Sequence, residues 1–256
     1  TQNEKNLGWR LNFRQLLIDS QNTDADVIFL SDQDDVWHLE KNKKQVEILS
    51  SHSEIEVLSA DTEFNVSTSE ATVPTNYVFK DNTQELSKFP IERFYKAGFR
   101  QGMTLAIKKE FINRFLKYWQ EDYNLLPHDA LIECLAGLLE VGYNLNESVA
   151  IHNRHETNAS GRAVVTLKSS KALHIQELYA KYQGYYEIVY KVLQDNNSPL
   201  SQVEKNYYEF TKRRIENTQS GNIWKVIVQQ FKDWKKYEHR SSQIRDILFA
   251  LKKERN

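Results

Sequence analysis

Short apolar runs alternate with amphipathic stretches through the first 164 residues, and this alternation predicts an α/β domain. The first stretch places Trp9, Phe13 and Leu17 on one face of a helix. The apolar run 27–30 follows, flanked by helices, and predicts a central parallel strand that is buried on both faces. Further strands are predicted at 57–60, 102–107 and 143–151, and further helices at 40–51, 109–120 and 130–141.

From about residue 166 onward the pattern is helical only. Helices are predicted at 173–194, 201–218 and 223–251, separated by turn-forming residues at 196–199 and 220–222. We therefore predict two domains, an α/β domain over 1–164 and an all-helical module over 165–256.

Composition narrows the class of protein. Hydrophobic residues make up 40% of the chain and charged residues 27%, which predicts a globular protein with a core. Acidic residues exceed basic ones up to Val164 and the reverse holds afterwards, but the basic excess is too dilute to predict nucleic-acid binding. Cys134, the single cysteine, cannot form an internal disulfide, and we expect a buried thiol in a cytoplasmic protein.

Carboxylates are concentrated where the first predicted strand ends. Asp32, Asp34 and Asp35 lie within four positions directly after the apolar run. Ligands gather at the carboxyl ends of strands in open α/β sheets, and a divalent cation relieves the repulsion between neighbouring carboxylates. Spacing alone leaves two alternatives open: a turn whose Asp35 caps the next helix, and a phosphatase-like site with the first aspartate as nucleophile. The phosphatase-like motifs that should follow are missing.

The order of several motifs resembles glycosyltransferase family 2, and most closely its bacterial rhamnosyltransferase-like branch. Residues 28–37 read Ile-Phe-Leu-Ser-Asp-Gln-Asp-Asp-Val-Trp, with Asn-Leu-Gly and Asn-Phe upstream. Gly102-Met103 is similar to the branch's acceptor-side segment, and His128-Asp129 to the pair that carries the catalytic base. Residues 154–158 are similar to its closing Arg-His-x-x-Asn motif.

The resemblance implies a GT-A (Rossmann-like) catalytic domain that binds a UDP- or dTDP-linked sugar with Mn²⁺ or Mg²⁺. Asp32 would contact the ribose or the metal-bound nucleotide, and Asp34 would be the principal metal ligand. His155 would be a second metal ligand or a diphosphate contact. Trp37 would pack beside the donor sugar, although a role in the core is an equal alternative.

On the acceptor side, the resemblance implies that Asp129 is the general base of an inverting transfer, with Gly102, Met103 and His128 beside the acceptor. Asp129 also opens a helix, where a carboxylate is favoured by the helix dipole alone. The expected acceptor is a hydroxyl of a cell-surface polysaccharide, a glycoprotein glycan or a lipid-linked glycan. The alternative is a non-catalytic glycosyltransferase-like scaffold that binds partner proteins.

The chain departs from the family pattern at its start. Family members begin with a Pro-x-Tyr-Asn-like strand and a second strand that ends in Asp-Asp-Gly-Ser, and neither segment is present. We therefore expect that the domain is partial here and that about 70 residues, two βα units, precede Thr1 in the complete enzyme.

One face of the last predicted helix is apolar and is bordered by Lys225, Lys232, Lys235 and Lys236. Two interpretations remain open. The face packs on neighbouring helices or on a second copy in a homodimer, which is the simpler interpretation, or it rests on an anionic lipid surface at the inner face of the membrane. The apolar residues are Trp224, Ile227, Val228, Phe231 and Trp234.

Overall fold

A computed structural model describes residues 4–66, 83–93, 100–154 and 165–252, and its backbone divides into two compact units. The α/β unit contains the described residues up to 117 together with 127–154. The helical unit contains 118–126 and 165–252. The α/β domain and the following helical module that the sequence predicts are confirmed.

Helices and strands alternate in the α/β unit. The helices are α1 (Gly8–Ser20), α2 (Lys41–Ser51), α3 (Lys109–Leu116) and α4 (His128–Leu138). The strands are β1 (Val27–Phe29), β2 (Val36–Trp37), β3 (Val57–Val66), β4 (Leu86–Lys88), β5 (Ala106–Lys108) and β6 (Gly142–Arg154). A 3-10 turn, Gly102–Thr104, leads into β5.

The described strands form one mixed sheet in the order β1-β5-β3-β6-β2, with β4 also paired to β6. Only β3 and β6 run parallel, and the other pairs are antiparallel. The prediction of a central parallel strand at 27–30 is therefore wrong for the strands described. β1 lies at the end of this order, is antiparallel to β5 and is half-buried. An apolar run reports burial, but it does not identify the neighbour with which a strand pairs.

The core of this unit lies between β3, β5 and β6 and the helices packed on them. The first six residues of β3 are all buried, including the polar side chains of Ser59, Asp61 and Thr62. Cys134 is buried on α4, as predicted. Core side chains include Leu49, Ile55, Leu58, Ala60, Met103, Ala106, Leu145, Val149 and Ala150.

Five α-helices build the helical unit: α5 (Lys171–Glu177), α6 (Gly184–Asp195), α7 (Ser201–Gln219), α8 (Ile223–Asp233) and α9 (Arg240–Leu251). A π-helical turn, Leu178–Gln183, joins α5 to α6, and a 3-10 turn, Trp234–Lys236, follows α8. The predicted breaks at 196–199 and 220–222 are confirmed, whereas the predicted helix 223–251 is interrupted before α9. No helix in the described ranges is long and apolar enough to cross a membrane.

Residues 118–126 complete the core of this helical unit. The Tyr123 ring lies against the backbone of Gly184 so closely that a Cβ there would approach its Cγ to 2.6 Å. Its hydroxyl donates a short hydrogen bond to Glu187. Tyr118 donates to Asp195 (2.6 Å) and Tyr179 donates to Asp122 (2.5 Å).

A buried ion network holds α5, α7 and α9 together. Asp246 is fully buried, accepts from Arg214 Nε (2.6 Å) and lies 3.0 Å from His174 Nε2. Arg214 also donates to Glu238 (2.8 Å). Burial alone would raise the pKa of Asp246, but Arg214 and His174 outweigh it and lower that pKa.

Candidate active site

The pairing of β1 with β5 brings two chain segments to one edge of the sheet. Because β5 is antiparallel to β1, with Phe29 opposite Ala106, the start of β5 lies where β1 ends. The Gly102–Thr104 turn therefore lies beside the residues that follow β1. A Cβ at Gly102 would lie 3.7 Å from Leu30 and 3.6 Å from the Cβ of Asp129. The acceptor-side segment, the α4 start and the β1 tip thus meet.

Asp32 is surrounded by other carboxylates at this edge. Partial withdrawal from water and then the charges of Asp35, Asp34 and Asp129 raise its pKa to about 6, while His152 opposes the shift. Asp32 thus lies within electrostatic range of three other carboxylates. Asp129 is 94 or more positions away in the chain from the other acids, so this proximity is a product of the fold.

The strand pair β2–β6 fixes the Asp34–Asp35 segment. Asp35 Oδ1 lies 2.7 Å from His152 Nδ1 and accepts from the Asn153 backbone N–H (3.1 Å). The Asn153 side chain donates to the Asp34 carbonyl oxygen (2.5 Å). Asp35 is thus held by β6, and α2 begins without a side-chain cap, so the interpretation of Asp35 as a helix cap is wrong. His152, on β6, anchors the acidic segment.

Asp129 lies in the first turn of α4, where its Oδ1 accepts from the Ala130 backbone N–H (2.8 Å). The helix dipole favours the ionised carboxylate at this position. A carboxylate can accept a proton from a hydroxyl group that reacts beside it.

His128 is buried against α1 rather than open to solvent. Its ring stacks on Phe13 with centroids 4.0 Å apart, and Trp9 contacts it edge-on. Burial lowers its pKa, only partly offset by Asp129, so the imidazole is neutral. A Cβ at Gly102 would lie 3.1 Å from His128 Nε2, so the ring packs directly on that glycine. The Met103 side chain is fully buried in the core. The Gly102–Thr104 turn can therefore contribute to the site at Met103 only through its backbone.

A second polar cluster, missed by sequence reasoning, supports the same turn. Arg100 donates from its guanidinium to Asp61 (2.9 Å) and to Asn144 (3.3 Å). Its backbone N–H donates to both carboxylate oxygens of Glu133 (2.9 Å each), one helical turn after Asp129. Burial raises the pKa of Glu133 well above its usual range, and Asp129 adds to the shift. Asp61 lies within β3 and is buried.

Trp37 lies at the back of this edge, packed against the core. Its ring is 6.2 Å from Phe29, and the Lys41 ammonium lies 4.1 Å above it. Lys41 is buried, lies 4.4 Å over Phe29 as well, and has no hydrogen-bond partner within the described part of the chain. Burial lowers the pKa of Lys41 to about 7.

The β1-tip acids, Asp32, Asp34 and Asp35, offer oxygen donors of the kind that divalent cations bind, but the described residues show no metal-binding group. Crowded carboxylates are the hard oxygen donors that Mg²⁺ and Mn²⁺ prefer. Across the described ranges, no group of three or more His, Cys, Asp or Glu side chains is arranged to hold a metal ion. The predicted ligand His155 lies outside the described residues.

Comparisons with known proteins give one structural likeness to report. No family model matches the chain, and no curated protein does. The chain resembles TarS. That solved structure is residues 1–349 of Staphylococcus aureus TarS in complex with UDP-GlcNAc. The identity is 11% and the TM-score 0.43, and the likeness covers 91% of this chain and 68% of TarS. TarS is thus a distant structural neighbour.

Proposed function

We propose that this chain belongs to an inverting glycosyltransferase. It would transfer a hexose or deoxyhexose from a UDP- or dTDP-linked donor to a hydroxyl of a cell-surface polysaccharide or glycoprotein glycan. The observation that carries the proposal is that the β1 tip and the start of α4 meet at one sheet edge, where a Cβ at Gly102 would lie 3.7 Å from Leu30 and 3.6 Å from the Cβ of Asp129. The acids at this edge form two groups. Asp32, Asp34 and Asp35 follow β1, and Asp129 lies in the first turn of α4.

Asp129 acts as the base in this proposal. As the acceptor oxygen bonds to the anomeric carbon, its proton passes to the Asp129 carboxylate, and the bond from that carbon to the diphosphate oxygen breaks. The electron pair of that bond leaves with the nucleoside diphosphate. One in-line displacement inverts the configuration at the anomeric carbon. A carboxylate is basic enough because the hydroxyl becomes acidic only as the new bond forms.

The donor side is built by the β1 tip. Asp34 and the predicted His155 would hold Mn²⁺ or Mg²⁺, with Asp32 toward the nucleotide and Trp37 behind it. A bound divalent cation supplies charge neutralisation for the diphosphate. The hydrogen bonds from Asn153 to the Asp34 carbonyl and to Asp35 fix the segment, so the Asp34 carboxylate is presented at a defined place.

Donor binding tests the proposal. Thermal unfolding of the full-length protein is followed with UDP- and dTDP-sugars in the presence and absence of Mn²⁺. A donor at 100 times its Kd stabilises the folded state by about 2.7 kcal/mol, which raises the Tm. We expect this shift to require Mn²⁺ and to disappear in Asp34→Asn.

Glu63→Gln is a matched control, because Glu63 is an exposed acid on β3 outside the acidic edge. It should keep the shift. If no donor raises the Tm of the wild-type protein, with or without Mn²⁺, the proposal fails and the scaffold alternative gains.

A further inference from the structure

The face of α8 that the sequence left open is uncovered in the helical unit. Trp224 is 77% exposed, Phe231 80% and Trp234 62%, and Val228 lies between them at 49%. We call these four residues the α8 face. Packing of this face on neighbouring helices is therefore wrong within the described residues, whereas the other half of that interpretation, packing on a second copy, stays a prediction. Ile227, on the same helical face, is half-buried.

The α8 face is exposed although α8 packs on the rest of the unit through its opposite side. α8 already buries Val226 and Gln229 on its opposite side, and Gln229 donates to the Phe210 carbonyl (3.2 Å) on α7. Asn222 caps its first turn by accepting from the Lys225 backbone N–H. The helix is thus anchored and capped, and its large apolar side chains still point away from the unit.

Positive charge borders the α8 face on one side. Lys225 and Lys232 follow Trp224 and Phe231 by one position, are exposed, and form no ion pair within the described residues. Lys235 is exposed next to Trp234. The neighbouring acid, Asp233, is already paired with Lys236 (2.8 Å) and Arg213 (3.5 Å).

A groove runs along the same border. It encloses about 420 Å³ and is lined by Arg213, Lys225 and Lys232 on its polar side and by Trp224 and Val228 on its apolar side. A cationic groove beside exposed indole and phenyl rings matches an anionic headgroup above the start of its acyl chains. Tryptophan favours this boundary because its ring is apolar and its N–H is polar.

We propose that α8 docks the protein on an anionic phospholipid surface, with the α8 face inserted at the headgroup boundary and the lysines on the phosphates. This proposal does not depend on glycosyl transfer. An interfacial helix combines an apolar face rich in Trp and Phe with a lysine-rich polar border, as found here. Binding weakens as salt rises, because the lysine contribution is screened over a few ångströms at high ionic strength.

Vesicle sedimentation tests the proposal with the full chain. Vesicles of pure phosphatidylcholine are compared with vesicles that contain equal amounts of phosphatidylcholine and phosphatidylglycerol. We expect binding to the anionic vesicles only. Lys225→Gln and Lys232→Gln should each weaken it about fivefold, the factor for one basic residue near such a surface. Trp224→Ser with Phe231→Ser should weaken it about tenfold or more.

Matched controls separate docking from general charge and hydrophobicity. Lys205→Gln removes an exposed cation of the same unit, and Leu167→Ser removes an exposed apolar side chain, 63% exposed, away from α8. Both should bind like the wild type. Circular dichroism checks that every variant keeps its helical content.

Three outcomes would overturn the proposal. They are absence of binding to anionic vesicles, binding that the α8 variants leave unchanged, and a dimer in sedimentation velocity that Trp224→Ser with Phe231→Ser dissociates while no vesicle binding occurs. The last outcome would assign the α8 face to a second copy of this chain.

Discussion

At the residue scale, the site depends on two aspartates with different surroundings. Asp32 is crowded by negative charge, whereas Asp129 is held at a helix N-terminus that favours its ionised form. The first environment attracts a cation or a cationic ligand, and the second keeps a base ready. This difference assigns the two acids to different tasks in the proposed transfer.

Replacement of Asp129 by Asn tests the assignment of the base. We expect the transfer rate to fall by about 10² to 10⁴, the usual contribution of general base catalysis, while the donor-induced rise in Tm stays unchanged. Steady-state rates and thermal shifts on the same preparation measure both. A loss of donor binding in this variant would contradict the assignment. Glu133→Gln, one turn further along α4, is the control for damage to the Arg100 contact.

Lys41 offers a test of burial rather than of chemistry. Its folded pKa of about 7 lies below the value of 10.5 expected for an exposed lysine, so its charged form destabilises the fold. Below pH 7 the side chain is charged in both states and the burial cost is complete, and the cost declines as pH rises from 7 to 10.5. Lys41→Met should therefore raise the free energy of unfolding, by about 1 kcal/mol or more at about pH 6.

Urea unfolding at about pH 6 and about pH 9 measures this difference, which should shrink at the higher pH. Lys43→Met, an exposed position on the same helix, should change stability little at either pH. A destabilised Lys41→Met would show that the contacts of the ammonium with Phe29 and Trp37 outweigh its desolvation.

At the element scale, the sequence predicted helices and strands well and their partners poorly. Apolar periodicity located β1, β3, α4 and the helices after residue 170, because it reports which side of an element is buried. It could not show that β1 pairs antiparallel with β5, since pairing depends on residues about 80 positions apart. It likewise gave α8 an apolar face without showing that this face stays exposed among the described residues.

The site follows the same division. The acids that follow β1 were predictable from their spacing. Asp129 was predicted from a family resemblance, and only the fold shows that it lies near those acids. His152 and Arg100 carried no signal because each acts through a partner far along the chain: Asp35 is 117 positions from His152, and Glu133 is 33 from Arg100.

The ion network between α5, α7 and α9 gives a prediction about pH and stability. Asp246→Asn leaves the Arg214 guanidinium buried with less compensation, and we expect it to lower the free energy of unfolding by about 3 to 5 kcal/mol at neutral pH. The lowered pKa of Asp246 contributes stability that is complete above its ordinary pKa of 3.8 and is lost as pH falls through its lower folded value.

Thermal unfolding between neutral pH and about pH 3 measures both effects. Between neutral pH and about pH 3, the stability of Asp246→Asn should therefore fall less than that of the wild type, because the variant has no carboxylate to protonate at this position. Glu216→Gln, an exposed acid on α7, should stay within about 0.5 kcal/mol of the wild type. An equally stable Asp246→Asn would mean that the network is not the joint between these helices.

At the scale of the whole molecule, the helical unit is built from two separate segments of the chain. The helical unit takes residues 118–126 from between α3 and α4, and Tyr123 fills the space against Gly184. We therefore expect residues 165–256 alone to lack a cooperative thermal transition. A version with 118–126 joined to its start by a Gly/Ser linker should regain the transition.

The same fusion with Tyr123→Ser is the control, and it should melt at a lower temperature because a buried ring and its hydrogen bond to Glu187 are lost. Calorimetry decides the comparison. A cooperative transition in 165–256 without the added segment would show that the helices form their core without Tyr123.

The position of residues 118–126 also bears on synthesis at the ribosome. This segment is synthesised before α5 to α9, which follow it in the chain and complete the unit that buries Trp119 and Tyr123. The β-sheet unit has all its described strands by residue 154 and can condense first, as domains generally do. Trp119 and Tyr123 then stay exposed to solvent until the helices that bury them have been made. Residues 118–126 are therefore the segment where we expect a chaperone to bind the nascent protein.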